Sequence, residues 1–121
     1  MIGVGLDVVD IDRFRRTLER TPTMVAKLFT AGERAYAETA KDPTERYAAR
    51  FAAKEAVMKA LGVGLGSIDW HDVEVVRADS GRPTLVITGR AAALVAEQGI
   101  STWHLSLTHS ALVAEAIAIA E

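Results

Sequence analysis

The side chains best suited to chemistry lie in the stretch FAAKEAVMKALG, residues 51–62, where Glu55 and Lys59 have mostly apolar neighbours. A helix turns by about 100° per residue, which places both on one side together with alanines and Met58. A carboxylate on a packed side must pair with a cation or bind a metal, because bare burial is costly. Lys59 can provide the pairing as an i,i+4 partner. A metal can provide it instead if a second carboxylate comes close.

Asp7 is the best candidate for that second carboxylate. Ile2, Val4 and Leu6 alternate with glycines, which is typical of a strand, and the glycines mark places where another element can approach the backbone. We expect the strand to end at Asp7. The in–out alternation of strand side chains therefore does not determine which way the Asp7 side chain points. An aspartate that merely closes a strand is the alternative.

Basic side chains form two groups. Arg46, Arg50 and Lys54 recur at every fourth position and make one stripe of the helix that carries Glu55. A second group crowds the segment 13–20, and its members are Arg13, Arg15, Arg16 and Arg20. Each group is either a solvated face or a binding surface for anions.

Composition limits the class of protein. A chain of 121 residues, half of them hydrophobic, predicts one domain over residues 1–121 with a modest core that burial in an oligomer would help. The absence of cysteine excludes disulfides, cysteine–zinc sites and thiol catalysis. The net charge of −2 argues against broad nucleic-acid binding. Residues 1–10 suit neither a secretory signal nor a membrane span, which makes the cytoplasm the expected compartment.

Helices and strands must position these side chains. Capping boxes at Thr30–Glu33 and at residues 42–45 predict two helix starts, and Gly62 predicts a helix end. The expected helices are one capped by Asp10, a short turn near Met24, one from residue 30 to about 41, the longest from 43 to 61, and one from 90 to 98. The expected strands after the first are 73–78, 84–88, 102–108 and 112–120. The fold class is α+β, with helices packed on a small, mostly antiparallel sheet.

Three longer motifs resemble those of holo-[acyl-carrier-protein] synthase, the small single-domain class of 4′-phosphopantetheinyl transferases. They are GVGLDVVDIDRF at residues 3–14, FAAKEAVMKALGVG at 51–64 and WHLSLTHS at 103–110. SGRP at 80–83 also matches, and the order along the chain is the same. The resemblance implies the 4′-phosphopantetheinyl transferase fold. It also implies transfer of the 4′-phosphopantetheine group of coenzyme A to a serine of apo-acyl carrier protein, in fatty acid biosynthesis, with adenosine 3′,5′-bisphosphate as the other product.

The resemblance further implies a metal and an assembly. Asp7 and Glu55 would bind Mg²⁺, a cation that takes one or two carboxylates and completes its shell with phosphate oxygens and water. The enzyme would be a homotrimer with active sites between subunits. Val9 stands where the larger, two-lobed transferases have another acidic residue, which favours the small trimeric class.

Coenzyme A is expected to contact the same helix. Lys59, one turn beyond Glu55, would bind the pyrophosphate as a point charge, and Gly62 and Gly64 lie in the loop beyond it. Lys54 is a weaker candidate, for the 3′-phosphate or an interface. For Arg46 and Arg50 three partners stay open: the coenzyme A phosphates, the carrier protein and the trimer interface.

The proton of the acceptor serine needs a base. Glu55, a water on the metal and His109 are the candidates. His109 closes an apolar row with Trp103, Leu105 and Leu107, so it is either a core histidine or an active-site contact that binds phosphate.

Acyl carrier proteins are acidic, so Arg13, Arg16 and Arg20 of the first helix are expected to steer and dock one. Two other functions remain as alternatives. A non-catalytic oligomeric module that binds an acidic partner explains the arginines but leaves Glu55 unexplained. Another Mg²⁺-dependent phosphate enzyme would share the carboxylate pair and act on a different substrate.

Overall fold

The structure, a computed structural model, describes residues 1–121 and contains five helices and five strands. The helices are α1 (Ile11–Arg20), α2 (Met24–Leu28), α3 (Ala31–Ala37), α4 (Thr44–Leu61) and α5 (Gly89–Glu97), with a 3₁₀ turn at Trp70–Asp72. The strands are β1 (Gly3–Asp10), β2 (Val73–Arg77), β3 (Pro83–Ile87), β4 (Trp103–His109) and β5 (Val113–Ala120). These elements confirm the α+β fold class. None of the helices combines the length and apolarity that a membrane crossing requires.

The core lies between a sheet and the central helix α4. Strands β1, β5 and β4 form an antiparallel sheet in that order, and β2 and β3 form a separate antiparallel pair. Alternate residues of β5, from Ala114 to Ala120, are buried alanines that face α4. Because these side chains are small, α4 lies close to the sheet. On its other side α4 packs against α3 and β2.

Two glycines of β1 set the distance between this strand and α4. A Cβ atom on Gly3 would overlap the backbone of Ala60, and one on Gly5 would overlap the backbone of Ala56. The expectation that another element approaches these glycines is confirmed. The same side of β1 carries Asp7 as its next residue, so this packing brings Asp7 to α4.

Replacing Gly5 by alanine is expected to lower the free energy of unfolding by about 1–3 kcal/mol, because α4 must move away from β1. Urea unfolding measures the change. Gly64→Ala is the matched control, since an added Cβ meets nothing there and the expected change is within about 0.5 kcal/mol. An unaltered stability of Gly5→Ala would contradict the close contact.

The other face of the three-stranded sheet is apolar and exposed. Ile2 and, within β1, Val4, Leu6 and Val8 point away from α4, and Leu6 is 62% exposed. Four such residues in a row are typical of a surface that another protein covers.

Most helix ends follow the local sequence signals. Asp10 accepts a hydrogen bond from the Arg13 amide and caps α1. Thr30 and Glu33 form the expected capping box of α3. Gly62 ends α4 with a φ of 74°, a conformation that glycine adopts without strain. The later strands lie within one or two residues of their expected positions.

Two helix ends differ from expectation. The third helix stops at Ala37 rather than near residue 41, because the side chains of Thr39 and Arg46 both donate to the carbonyl oxygen of Tyr36. The capping box expected at residues 42–45 does not form. There the Asp42 carboxylate accepts from the Thr44 amide at 3.1 Å, and the side chain of residue 45 turns to β4 instead.

Candidate active site

Asp7 lies inside β1 rather than at its end. The strand continues to Asp10, and Asp7 shares the α4-facing side with Gly3, Gly5 and Val9. Ordinary strand alternation therefore determines its direction, and the expectation that the strand ends at Asp7 is wrong. The side chain is 17% exposed, which leaves it partly open to a ligand.

Lys59 binds the carboxylate of Asp7. Its Nζ lies 2.9 Å from Asp7 Oδ1 and 2.9 Å from the carbonyl oxygen of Leu6. The ion pair joins α4 to β1, and the alternative i,i+4 pair between Glu55 and Lys59 is not formed. About half of the Lys59 side chain stays exposed, so its ammonium group also faces open space.

Glu55 lies beside this pair, half-buried and without an ion pair of its own. Burial, followed by the neighbouring Asp7 carboxylate, raises the pKa of Glu55, and Lys59 acts in the opposite direction. A further cation beside Glu55 and Asp7 would stabilise the charged form of both carboxylates. The chain contains no group of three or more histidine, aspartate or glutamate side chains that could hold a metal. A pair of carboxylates fits Mg²⁺, which binds through one or two and keeps several waters.

A cavity of about 790 Å³ opens beside Glu55. Its apolar walls include Met24, Phe51, Ile68 and Trp70. The ring of Phe51 stacks on that of Trp70, with centroids 5.3 Å apart. Sequence reasoning missed Trp70, although a lone tryptophan in a polar segment was a signal that could have drawn attention to it. A bound substrate would find apolar surface next to a carboxylate here.

The loop after α4 borders the same cavity through Leu65 and Gly66. Gly62 ends the helix, and the space around Gly64 is open. Both glycines expected to contact coenzyme A therefore lie at the same end of α4 as Lys59.

Lys54 lies in the interior and does not reach this site. Its side chain is 1% exposed, and its Nζ pairs with Glu33 Oε1 at 2.8 Å and donates to the carbonyl oxygens of Trp70 and Val73. Burial lowers the pKa of Lys54, and Glu33 opposes that effect. The structure removes Lys54 from the candidates for a 3′-phosphate or interface contact, because its ammonium group is enclosed and all three of its donors have partners. The alternative that Lys54 belongs to a solvated basic face is also wrong, because its side chain is buried.

Arg46 and Arg50 pack on the ring of Tyr36 in α3. Their guanidinium carbons lie 4.4 Å and 4.3 Å from the ring centroid. Both face the α3 side of α4, whereas Asp7 lies on its β1 side. Their roles toward coenzyme A, the carrier protein or an interface stay predictions.

His109 closes β4 and pairs with the first turn of α4. Its Nε2 lies 3.1 Å from Glu45 Oε1. Glu45 and Glu55 are ten residues apart on α4, which corresponds to about 15 Å along the helix axis. The chain therefore does not bring its own His109 to its own carboxylate pair.

Helix α1 carries arginines of two kinds. The exposed ones that form no ion pair are Arg13, Arg16 and Arg20. Arg15 instead binds Asp12 at 2.6 Å and Asp42 at 3.0 Å. Arg13 also borders a hollow of about 270 Å³ whose apolar walls include Phe14 and Met24. A positive charge beside an apolar hollow suits an acidic protein partner.

A carboxylate pair, a lysine bound to it and an adjoining cavity on this α+β fold suit an enzyme that acts on an anionic substrate with the help of a divalent cation. A family model, the 4′-phosphopantetheinyl transferase superfamily, matches residues 3–120. The holo-[acyl-carrier-protein] synthase of Frankia casuarinae is 55% identical over 121 residues, which cover 100% of this chain and 98% of that protein.

Solved structures of holo-[acyl-carrier-protein] synthases match nearly the whole chain. The crystal structure of holo-[acyl-carrier-protein] synthase from Neisseria meningitidis matches with a TM-score of 0.91 and 30% identity, over 100% of this chain and 99% of that one. The Bacillus anthracis enzyme in complex with coenzyme A (3′,5′-ADP) matches with a TM-score of 0.82 and 32% identity, over 98% and 95% of the two chains. The chain belongs to the 4′-phosphopantetheinyl transferase superfamily and, within it, to the holo-[acyl-carrier-protein] synthases, which confirms the resemblance seen in its motifs.

Proposed function

We propose that this chain transfers the 4′-phosphopantetheine group of coenzyme A to a serine of apo-acyl carrier protein, in fatty acid biosynthesis, and releases adenosine 3′,5′-bisphosphate. The observation that carries the proposal is the carboxylate pair of Asp7 and Glu55, held beside Lys59 at a cavity large enough for part of coenzyme A. Family membership supplies the identity of the two substrates. The cysteine-free sequence suits a reducing compartment, and we place the reaction in the cytoplasm.

The reaction joins the serine oxygen to the β-phosphorus of coenzyme A and breaks the bond from that phosphorus to the bridging oxygen of the pyrophosphate. The serine proton passes to a base, for which Glu55, a water and His109 are the candidates, and the bridging oxygen leaves with the nucleotide. Asp7 and Glu55 would hold Mg²⁺, which when bound neutralises charge on the pyrophosphate oxygens. The ammonium group of Lys59, which contacts Asp7, would add a second positive charge that attracts the pyrophosphate oxygens.

The cavity beside Glu55 would receive the pantetheine arm. Phe51 and Trp70 offer a flat apolar wall to the methyl and methylene carbons of the arm. This position keeps the phosphate end of the arm near Lys59. Leu65 and Gly66 line this space, and Gly62 and Gly64 precede them in the same loop, where an added Cβ would meet no other atom.

Two observations support the proposed homotrimer with active sites between subunits. The exposed apolar row on β1 offers a surface for a second copy, as Leu6 and its neighbours show. His109 of β4 pairs with Glu45, about 15 Å along α4 from Glu55, so any role of His109 at the Asp7–Glu55 pair requires a second copy. Sedimentation equilibrium tests the assembly, for which we expect the mass of three chains.

The activity is tested with the purified chain, coenzyme A, Mg²⁺ and a panel of apo-acyl carrier proteins. We expect the mass of at least one carrier to increase by one phosphopantetheine group. The same mixture without coenzyme A is the control. An unmodified mass for every carrier in the panel would contradict the proposed function.

Docking of the carrier is expected to depend on the unpaired arginines of α1. Replacing Arg16 and Arg20 by glutamate should raise the KM for the carrier by at least about tenfold at low salt, because two charges that attract the acidic partner become two that repel it. The KM for coenzyme A should stay unchanged. Initial rates at varied carrier and salt concentrations measure both constants.

Arg16→Gln and Arg15→Gln form the matched comparison, because each removes one positive charge from α1 and only Arg15 is already paired, with Asp12 and Asp42. Arg16→Gln should raise the KM for the carrier more than Arg15→Gln does. Equal effects of these two variants would show that net charge alone, and not a docking surface, governs the rate.

A further inference from the structure

Two hollows of the surface join into one apolar strip. The hollow of about 270 Å³ beside Arg13 and the cavity of about 790 Å³ beside Glu55 share two walls, the side chains of Met24 and Phe51. The first hollow borders α1, and the second reaches the start of α5. The apolar strip formed in this way consists of Phe14, Met24, Phe51, Ile68 and Trp70.

Arg90 lies at the α5 end of the apolar strip. Its side chain lines the cavity, is exposed, and forms no ion pair or hydrogen bond within the chain. Lys27 of α2 is a second exposed cation of the same lining. The apolar strip therefore has a free cation at each end, Arg13 on α1 and Arg90 on α5.

The acidic side chains near Arg90 have other partners or other roles. Asp69 caps the 3₁₀ turn at the edge of the cavity, and Glu55 is a proposed ligand of Mg²⁺. Asp72 accepts a hydrogen bond from the Ala91 amide at 3.4 Å and forms no ion pair. The positive charge of Arg90 is therefore available to a partner outside the chain.

The position of Arg90 is unfavourable for its own helix. Arg90 is the second residue of α5, and the first turn of α5 contains no acidic residue. The amides at a helix N-terminus carry partial positive charge, so a cation there destabilises the helix. Lys27 differs, because it lies in the last turn of α2, where a cation is favourable. A residue that breaks a local rule of stability without a local gain indicates a role in binding.

We propose that Arg90 is a second docking point for the acidic carrier, which lies along the apolar strip and meets cations on both α1 and α5. The strip continues the docking surface proposed on α1, and separated cations beside apolar side chains fit a partner with an apolar face and acidic flanks. Arg90 thereby favours carriers whose acidic side chains extend beyond the α1 contact. The inference rests on the proposed function, because that function identifies the partner as an acyl carrier protein.

The test is the affinity of the full chain for fluorescently labelled apo-acyl carrier proteins of the panel, measured by anisotropy at low salt without coenzyme A. Arg90→Gln should raise the dissociation constant about threefold and Arg90→Glu about tenfold, because attraction is first removed and then reversed. Lys41→Gln removes the same charge at an exposed residue outside the apolar strip. It should leave the dissociation constant unchanged, since salt screens distant surface charges.

Two further measurements separate docking from a structural role and from a contact with coenzyme A. Because Arg90→Gln removes a cation from the N-terminus of α5, the melting temperature should stay the same or rise by about 1–3 °C. A structural arginine would instead give a lower melting temperature together with weaker binding. Calorimetry with coenzyme A and Mg²⁺ should give the same affinity for Arg90→Gln as for the unaltered chain.

The inference is overturned if Arg90→Glu binds the carrier as tightly as the unaltered chain does, or if Lys41→Gln weakens binding as much as Arg90→Gln. Equal weakening of carrier and coenzyme A by Arg90→Gln would also overturn it, because the arginine would then serve the nucleotide. A carrier that binds through Arg90 without gaining mass contradicts the proposed transfer and leaves the docking result standing. If no carrier of the panel binds the unaltered chain, the docking inference fails on its own.

Discussion

Glu55→Gln is expected to slow phosphopantetheine transfer by about 10²–10³-fold while the chain remains folded. The substitution keeps the shape of the side chain and removes one of the two negative charges proposed to hold Mg²⁺. Because burial and Asp7 already disfavour the charge on Glu55, a neutral side chain should fit the folded state at least as well. The measurements are the rate of mass gain of an apo-carrier and the urea unfolding curve.

Asp7→Asn should show a similar loss of activity, together with loss of the partner of Lys59. Glu97→Gln is the matched control, since Glu97 is exposed on α5 and its carboxylate has no ion pair. Calorimetry adds a separate observation, because the heat of coenzyme A binding should lose its dependence on Mg²⁺ in both site variants. Full activity of Glu55→Gln and Asp7→Asn would remove the metal assignment.

Lys54→Met is expected to lower the free energy of unfolding by about 3–5 kcal/mol, the range for breaking one side of a buried ion pair. Its removal leaves the Glu33 carboxylate enclosed without a cation, and it leaves the carbonyl oxygens of Trp70 and Val73 without the lysine donor. Urea unfolding of the full chain measures the change.

Two further variants test whether the loss of stability comes from the broken ion pair or from any substitution in α4. The double variant Lys54→Met with Glu33→Gln should be more stable than Lys54→Met alone, because no unpaired charge remains buried. Lys59→Met, also on α4 but half exposed, should cost at most about 1 kcal/mol. Its transfer activity should nevertheless fall. A stability of Lys54→Met equal to that of Lys59→Met would contradict the buried pair.

The local signals of the sequence predicted the helix ends well. The capping box of Thr30 and Glu33 and the glycine stop at Gly62 form as expected. Such signals depend on residues three or four positions apart, and they act wherever the helix packs. The box expected at residues 42–45 failed because Glu45 has a competing partner, His109, on a distant strand.

The family and the candidate carboxylates could also be predicted from the residues and their spacing. Helical spacing placed Glu55 and Lys59 on one side of α4, and the motifs added Asp7. The spacing did not show that Lys59 would choose Asp7 rather than Glu55, because that contact joins residues 52 positions apart. Only the close approach of α4 to Gly3 and Gly5 brings the two together.

The environment of each charge on α4 depends on how the chain folds around that helix. Arg46, Arg50 and Lys54 form one stripe in the sequence, yet Lys54 is enclosed by a partner from α3 and Arg50 packs on Tyr36. Helical periodicity gives the direction of a side chain. What lies in that direction depends on contacts between distant segments, and a lysine becomes structural or functional according to whether it meets a buried carboxylate or an open site.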